Sequence, residues 1–331
     1  METLKNRIIK ERGIGEKSAE LYIRNLRIIG KKVEGEDQKG DTHWLEKFEK
    51  VKAVLMKEKL NTRKTRLSAI VVALKVMKID EKLTEKYSDM MYEAIKEYKD
   101  IVASGVKSKK QEENWASLED LKQVWNTLKK EVYAVDLHKK KKIVARPEEK
   151  ELLQKFMVAS LYTLMPPRRN MDYTNLTIVD ESEYKAYSKE VKDSHNYLVM
   201  RKNGNMYFSF GDYKTNNYKT QVRKNKGIDV MTIVPRVKTI IRMWRKFNPD
   251  KTFLITNNRG GRMSANSLTK YLMKIFNRTG KKSISSTMLR HIYITETEKL
   301  KKFREAKEEA EKIAKKMGHS LKTQQDYVKT S

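Results

Sequence analysis

Apolar residues recur at helical spacing along most of the chain and alternate over only one stretch. In the first third they return every two to five residues, beginning with Leu4 and Ile8, and 65–77 is an apolar run long enough for a buried helix. Between 196 and 235, Tyr, Val, Phe and Ile alternate around a Lys-Asn-Gly-Asn turn at 202–205, which is typical of antiparallel strands. This change of period predicts a mainly α fold with a small antiparallel β-sheet, of the α+β class.

The chain of 331 residues exceeds the ~100–200 residues of an average domain, and one segment predicts where it divides. Residues 105–120 have no regular apolar spacing, so we interpret them as a linker. Within the linker, Ser117 and Asp120 fit a capping box, in which a hydroxyl and a carboxylate satisfy free amides at a helix start. We therefore expect a helical domain over 1–112 and a second domain over 113–331.

Lysine and arginine greatly outnumber the acidic residues, 73 against 43, which gives a formal net charge of +30. Such an excess fits either a solvated surface or, more commonly, a surface that neutralises nucleic-acid phosphates. A basic run such as 139–142 also fits a nuclear-import signal or a solvated loop. The cations that we select as candidate DNA contacts are Arg63, Lys64, Arg66, Lys139, Lys140, Lys141 and Lys142.

Several classes of chemistry are excluded or disfavoured by composition. The absence of cysteine excludes disulfides, thiolate zinc sites and cysteine nucleophiles, and the five histidines are not clustered at metal-ligand spacing. We therefore expect no metal and no cofactor. No window approaches the ~18 consecutive apolar residues of a membrane helix, and the N-terminal residues lack the apolar core of a signal peptide. We expect an intracellular protein without a membrane partner.

Two adjacent arginines follow the Pro-Pro pair that must end the helix predicted over 145–167. An arginine fixed beside a rigid turn can present its planar fork to two phosphate oxygens. The spacing to Asp172 and Leu176 favours Arg169 for this role, with Arg168 as the alternative.

Four further residues carry chemical interest. Lys214 follows an aromatic-rich strand at the tip of a hairpin, and Arg290 has apolar neighbours that imply an anionic partner for its charge. His319 follows a glycine, and Tyr327 comes eight residues later. Taken singly, each has a structural or solvent-exposed interpretation, and their joint order is the stronger signal.

The order Arg169, Lys214, Arg290, His319, Tyr327 resembles the catalytic domain of the tyrosine recombinases, the phage-integrase superfamily. The resemblance covers about the last two-thirds of the chain, and the first third resembles the core-binding domain with which these enzymes clamp DNA. It implies a site-specific recombinase or integrase that cuts and rejoins DNA without metal or ATP. Tyr327 would form a 3′-phosphotyrosine intermediate, the two arginines and His319 would bind the phosphate oxygens, and Lys214 would protonate the leaving oxygen.

The Pro-Pro-Arg-Arg sequence around the first arginine and the Glu-Asn-Trp sequence of the linker most resemble those of tyrosine recombinases carried by DNA viruses, virophages and mobile elements. This implies integration or excision of a viral or mobile genome. The implied partners are double-stranded DNA with specific sites and further copies of the chain, as a dimer or tetramer. The protein would act wherever that DNA lies, in a nucleus, a viral factory or a bacterial nucleoid.

The chain departs from the family pattern at three places. The charged stretch between Arg290 and His319 is longer than is usual in the family, and we interpret it as one extended amphipathic helix. Thr287 stands where the family usually has a histidine, so the general base is open between a hydroxyl relay at Thr287 and His291, whose helix position points roughly 100° away from Arg290. Four residues follow Tyr327, which leaves action in cis or in trans open. A type IB topoisomerase and a catalytically inactive DNA-binding protein are the alternatives.

Overall fold

The computed structural model describes a mostly helical protein (68%) with one four-stranded sheet, and the α+β class is confirmed. The chain divides into two compact units, Met1–Lys107 and Ser108–Ser331. The sequence placed this division at 112/113, inside a short helix that the structure assigns to the second unit. The residues that the structure describes are 2–36, 41–139, 146–213, 228–248, 250–281, 283–320 and 323, with the backbone alone at Lys299.

The first unit is built from helices around one apolar core. Trp44, Tyr87 and Leu26 are among its buried side chains. The indole of Trp44 packs so closely on Gly30 that a Cβ added to Gly30 would lie 2.8 Å from Trp44 Nε1. Its elements are α1 (Glu2–Arg12), α2 (Glu16–Glu34), a 3-10 helix (His43–Glu46), α3 (Phe48–Met56), α4 (Leu60–Met77) and α5 (Glu81–Ala103).

The second unit contains the remaining helices and the sheet. Its helices are α6 (Lys109–Glu113), α7 (Leu118–Ala134), α8 (Pro147–Thr163), α9 (Asn170–Thr174), α10 (Glu181–Ala186), α11 (Lys189–Ser194), α12 (Pro235–Phe247), α13 (Ala265–Phe276), a 3-10 helix (Asn277–Thr279), α14 (Ser286–Glu296) and α15 (Glu298–Lys316). Its strands are β1 (Leu176–Asp180), β2 (Asn196–Met200), β3 (Met206–Phe210) and β4 (Asp229–Thr232).

Local signals in the sequence set several of these boundaries. The predicted capping box at the start of α7 is present, with Ser117 and Asp120 each accepting a hydrogen bond from the other's amide. A second capping box, at Ser108 and Gln111, starts α6 inside the segment interpreted as linker. α8 begins with Pro147 in its first turn and ends before the Pro-Pro pair.

The strand order is β1-β2-β3-β4. The predicted hairpin is present: β2 and β3 are antiparallel, with Asn196 opposite Phe210 and Met200 opposite Met206, and β4 pairs antiparallel with β3. β1 pairs in parallel with β2, which makes the sheet mixed rather than purely antiparallel. A parallel neighbour needs a crossover connection, and the helices α10 and α11 provide it.

One face of the sheet packs on the core of the second unit. Residues 153–163 of α8 are buried on nearly all sides except Lys155, as expected of a central helix. Phe208, Phe210 and Tyr173 meet in edge and tilted ring contacts, and Tyr173 also contacts Tyr162 of that helix. None of the helices in the described part of the chain has the length and apolar character to cross a membrane.

Candidate functional site

The two arginines after the Pro-Pro pair have different environments. Arg168 donates through Nε to Asp172 at 2.9 Å and through Nη1 to Asp229, and its guanidinium lies 3.7 Å from the ring centroid of Phe210. Arg169, at the N-cap of α9, is half-buried, and its side chain has no hydrogen bond or ion pair to any described residue. The structure therefore commits Arg168 to internal contacts and leaves the guanidinium of Arg169 available for a ligand.

Asp172 is the carboxylate at the centre of this region. It is 3% exposed, and burial raises its pKa against the opposing charges of Arg168 and Arg169. Its amide donates to the Arg169 carbonyl at 3.0 Å, and its own carbonyl accepts from the Asn196 side chain at 3.3 Å. These bonds fix the start of α9 to the first residue of β2.

Arg290 reaches the same region from α14. Its side chain is half-buried, and it has no hydrogen bond or ion pair among the described residues. Burial lowers its pKa, and the positive charges of Arg169 and Arg168 lower it further while Asp172 raises it. Arg169 and Arg290 are thus close enough to repel each other, which is the arrangement expected of an anion site.

The chain that leads to Lys214 starts beside this cluster. Gly211 donates to the His195 carbonyl at 3.0 Å and has no room for a side chain, because a Cβ would lie 1.9 Å from the carbonyl of Lys192. Two residues later, the ring of Tyr213 lies 5.6 Å from the Arg168 guanidinium. Lys214 itself is outside the described residues.

His319 follows α15, where Gly318 adopts the left-handed conformation (φ 73°) and the His319 amide donates to the Ala314 carbonyl at 3.1 Å. The imidazole is half-buried, with Nδ1 3.3 Å from the Ser320 carbonyl oxygen. Most of the charged stretch between Arg290 and His319 forms one helix, α15, as predicted. Tyr327 is outside the described residues.

The two candidates for the general base both lie on α14. Thr287 is in its first turn, three residues before Arg290, and is exposed. His291, next to Arg290, is also exposed. Neither side chain has a described hydrogen-bond partner that would orient it toward a phenol.

The candidate DNA contacts of the first unit are engaged in internal interactions. Arg66 is buried at 8% exposure and ion-paired to Glu58, whose pKa is lowered by a hydrogen bond from Lys32 and by the Arg66 charge. Arg63 pairs with Glu97 at 2.8 Å. These pairs give both arginines a structural role within the helical unit.

The lysine candidates differ from the arginines. The ammonium of Lys64 lies 3.5 Å from the ring centroid of Tyr98. Lys139 is exposed and pairs with Asp136 at 3.0 Å. Lys140, Lys141 and Lys142 are outside the described residues.

Two members of the cluster, Asp229 and Tyr213, are not among the site residues that the sequence predicts. Asp229 comes from β4, 61 residues from the arginine it binds, and no local pattern marks it. Tyr213 follows an aromatic-rich segment, in which nothing local distinguishes it from the other aromatic residues. The pairing of Arg168 with Asp172 did have a signal, since oppositely charged residues four apart meet on a helical turn.

Comparisons with known proteins add little to this geometry. The sequence matches no family model and no curated protein. Among solved structures, the chain is similar to a crystal structure of XerA recombinase, with a TM-score of 0.32 and 10% identity, over 89% of this chain and 82% of that chain. A likeness of this size does not define the fold. No group of three His, Asp or Glu side chains among the described residues is arranged to hold a metal ion.

Proposed function

We propose that this protein is a site-specific DNA recombinase of the tyrosine-recombinase type, which cuts and rejoins DNA through a 3′-phosphotyrosine. The observation that carries the proposal is the pair Arg169 and Arg290, two half-buried guanidiniums that form no hydrogen bond or ion pair with a described residue. The positive charge of Arg169 also acts on Arg290. The order of these arginines with Lys214 and Tyr327 in the sequence adds support, because it assigns each remaining role to one residue.

The chemistry requires few parts. A phosphodiester has no strong electrophile, so cleavage without a metal needs cations on the non-bridging oxygens, a nucleophile, and an acid for the leaving oxygen. Arg169 and Arg290 bind the non-bridging oxygens in this mechanism, where negative charge increases in the transition state. Because both guanidiniums are half-buried, they attract the charge on these oxygens more strongly than they would in water.

The other steps are assigned to His319 and to two residues outside the described ones, Lys214 and Tyr327. Tyr327 attacks phosphorus as its phenol proton passes to water, by way of Thr287 or His291, and the phosphorus–oxygen bond to the 5′ oxygen breaks. These changes leave a 3′-phosphotyrosine and a 5′ hydroxyl. Lys214 supplies the proton to that oxygen, and His319 donates a hydrogen bond to the phosphate. Since the phosphotyrosine keeps the energy of the broken bond, religation needs no nucleotide cofactor.

The partners follow from the same proposal. Double-stranded DNA with specific sites is the substrate, and the net charge of +30 favours its backbone. Exchange of strands between two sites requires several copies of the chain, as a dimer or tetramer. The resemblance of the arginine motif to viral and mobile-element versions supports integration or excision of such a genome as the purpose.

The decisive experiment traps the covalent intermediate. Wild-type protein is incubated with a library of nicked duplexes of random sequence, and protein–DNA adducts are isolated on a denaturing gel and sequenced. We expect adducts with a common sequence at the 3′ end, and none with Tyr327→Phe. Tyr92→Phe, at an exposed tyrosine of α5, is the matched control and keeps the adduct. An equal yield from Tyr327→Phe and wild type contradicts the assignment of the nucleophile.

A second variant tests the arginine pair. We expect Arg290→Ala to abolish adduct formation while salt-sensitive binding to duplex DNA stays largely intact. Arg278→Ala is the control, because Arg278 is a surface arginine paired with Glu131 at 2.6 Å. Loss of cleavage and binding together would identify Arg290 as a structural residue.

The same reagents separate the alternatives. A supercoiled plasmid that bears two copies of the recovered sequence gives recombinant products with a recombinase and relaxed plasmid alone with a type IB topoisomerase. The exposed Thr287, in place of a histidine base, is the observation that favours an inactive DNA-binding protein. That alternative predicts binding without any adduct.

A further inference from the structure

One face of α12 carries a row of cations. Lys238, Arg242 and Lys246 recur every four residues along this helix, with Arg245 three residues after Arg242. The opposite face, which includes Trp244, packs into the core. The sequence of α12 contains no acidic residue. Arg242 and Lys246 are exposed, whereas Lys238 and Arg245 are half-buried.

The turn between β2 and β3 extends this row. Arg242 donates through Nε and Nη2 to the carbonyl of Gly204, at 3.1 and 2.5 Å, and Lys238 donates to the Asn205 side-chain oxygen at 2.5 Å. These bonds attach the turn to α12 and bring the exposed Lys202 beside the helix. We call Lys202, Lys238, Arg242, Arg245 and Lys246 the basic stripe.

The charge of the basic stripe is not neutralised within the described chain. None of its members forms an ion pair with a described carboxylate, and the acceptors that hold Lys238 and Arg242 are neutral. α15 is the opposite case, because its lysines alternate with glutamates and pair along the helix, as in Glu298–Lys302 at 3.0 Å. Like charges at these spacings destabilise a helix, so an acid-free stripe points to an anionic partner.

The basic stripe lies away from the candidate active site. Arg168 stacks on Phe210, which pairs with Asn196 at one end of the hairpin, whereas the stripe adjoins the turn beyond Met200 and Met206 at the other end. Four residue steps at ~3.3 Å per residue separate these ends by about 13 Å. The stripe therefore cannot bind the phosphate that Arg169 and Arg290 would hold.

We propose that the basic stripe is a second phosphate-binding surface, which contacts the backbone of duplex DNA outside the cleaved position. A row of fixed cations along a helix matches the repeated phosphates of a DNA backbone better than it matches a single small anion. The inference rests on the proposed function for the identity of the partner as duplex DNA. The duplex is either the flanking part of the cleaved molecule or a second molecule brought to the same protein.

The test measures how steeply binding falls with salt. The full-length protein is titrated with a labelled random-sequence duplex several helical turns long, over a range of salt concentrations, by fluorescence anisotropy. The stripe variant is Lys202→Gln/Arg242→Gln/Lys246→Gln, in which glutamine can still donate to Gly204. The control is Lys302→Gln/Lys307→Gln/Lys312→Gln on α15, which removes the same charge from exposed positions.

We expect the slope of log K against log salt to become shallower by about 2 to 3 in the stripe variant, since each lost phosphate contact contributes ~0.9. The control should change by less than about one such contact. A charge-conserving variant, Lys202→Arg/Arg242→Lys/Lys246→Arg, should keep the wild-type slope, which excludes misfolding as the cause. Equal slopes in the stripe variant and the control overturn the proposal and favour an acidic protein as the partner of this face.

A short duplex of about one helical turn identifies the source of the DNA. If wild type binds two short duplexes in native mass spectrometry and the stripe variant binds one, the stripe holds a second molecule. If wild type and the stripe variant each bind one short duplex, and their salt slopes differ only with the long duplex, the stripe holds flanking DNA.

Cleavage is not needed for these measurements. A stripe effect without any Tyr327 adduct would overturn the proposed function alone, and an adduct without a stripe effect would overturn this inference alone.

Discussion

Replacing Arg168 by methionine should destabilise the second unit by about 3 kcal/mol at neutral pH, because it removes the partner of a buried carboxylate. Asp172 is 3% exposed and accepts from Arg168 Nε at 2.9 Å. Breaking a buried ion pair on one side costs ~3–5 kcal/mol, and methionine keeps part of the packing against Phe210. The second pair, with the half-exposed Asp229, contributes less than ~1 kcal/mol.

The loss should depend on pH in a defined direction. Burial raises the pKa of Asp172 in the folded protein, and the charge of Arg168 lowers it, so the variant has the higher folded-state pKa. A carboxyl whose pKa is raised by folding lowers stability as pH rises above its unfolded value of ~3.9. The difference between wild type and variant should therefore be small near pH ~4 and should grow as pH rises through the folded-state pKa.

Hydrogen exchange in the full-length protein measures this loss. The β3 amides (Met206–Phe210) that bond to β2 are buried in the second unit, and their slowest exchange reports its unfolding free energy. Arg168→Met/Asp172→Asn should recover most of the stability, since no charge is then buried alone. Asp229→Asn is the exposed control and should change stability by less than ~1 kcal/mol.

Two results would refute this reasoning. A loss of the same size at both pH values would assign the effect of Arg168 to packing, because the charge of Asp172 is largely absent at the lower pH. A loss below ~1 kcal/mol at neutral pH would mean that solvent already stabilises Asp172. Either result would also weaken the distinction between Arg168 as structural and Arg169 as ligand-binding.

Two further substitutions test how the site is supported. Gly211→Ala places a Cβ against the Lys192 carbonyl and should cost ~1–3 kcal/mol and reduce the yield of the DNA adduct; normal stability and adduct yield would contradict it. Glu296→Ala removes the carboxylate that accepts from Trp115 Nε1 at 2.7 Å and from the Leu118 amide at 2.6 Å. It should destabilise the second unit by ~1–3 kcal/mol, with faster exchange in the first turn of α7, whereas Glu296→Gln should lose less.

The parts of the fold that sequence predicted are those fixed by neighbouring residues. The capping box at Ser117 starts α7, and the turn at 202–205 joins two alternating segments, because each signal lies within a few residues of its effect. The parallel pairing of β1 with β2 was not predicted. It depends on a crossover through two short helices, and the β-branched residues of Leu176–Asp180 favour a strand without specifying which strand it pairs with.

The candidate site divides in the same way. The order of the arginines, the lysine, the histidine and the tyrosine can be found in the sequence, but their distances cannot. Asp229 joins the cluster through pairing of β4 with β3, and only the folded sheet brings it to Arg168. The choice between Arg168 and Arg169 likewise depends on the folded structure, in which the guanidinium of Arg168 is bonded to Asp172 and Asp229.

The charges around Asp172 match the substrate that the mechanism requires. Three guanidiniums, of Arg168, Arg169 and Arg290, share the site with two carboxylates, of Asp172 and Asp229, which leaves one positive charge among the described groups when both carboxylates are ionised. A phosphodiester carries one negative charge, so its binding would neutralise the cluster. In the proposed mechanism Lys214 adds a second positive charge, and attack on phosphorus generates a second negative charge on the non-bridging oxygens. The site would then bind the transition state more tightly than the ground state, which is the condition for catalysis.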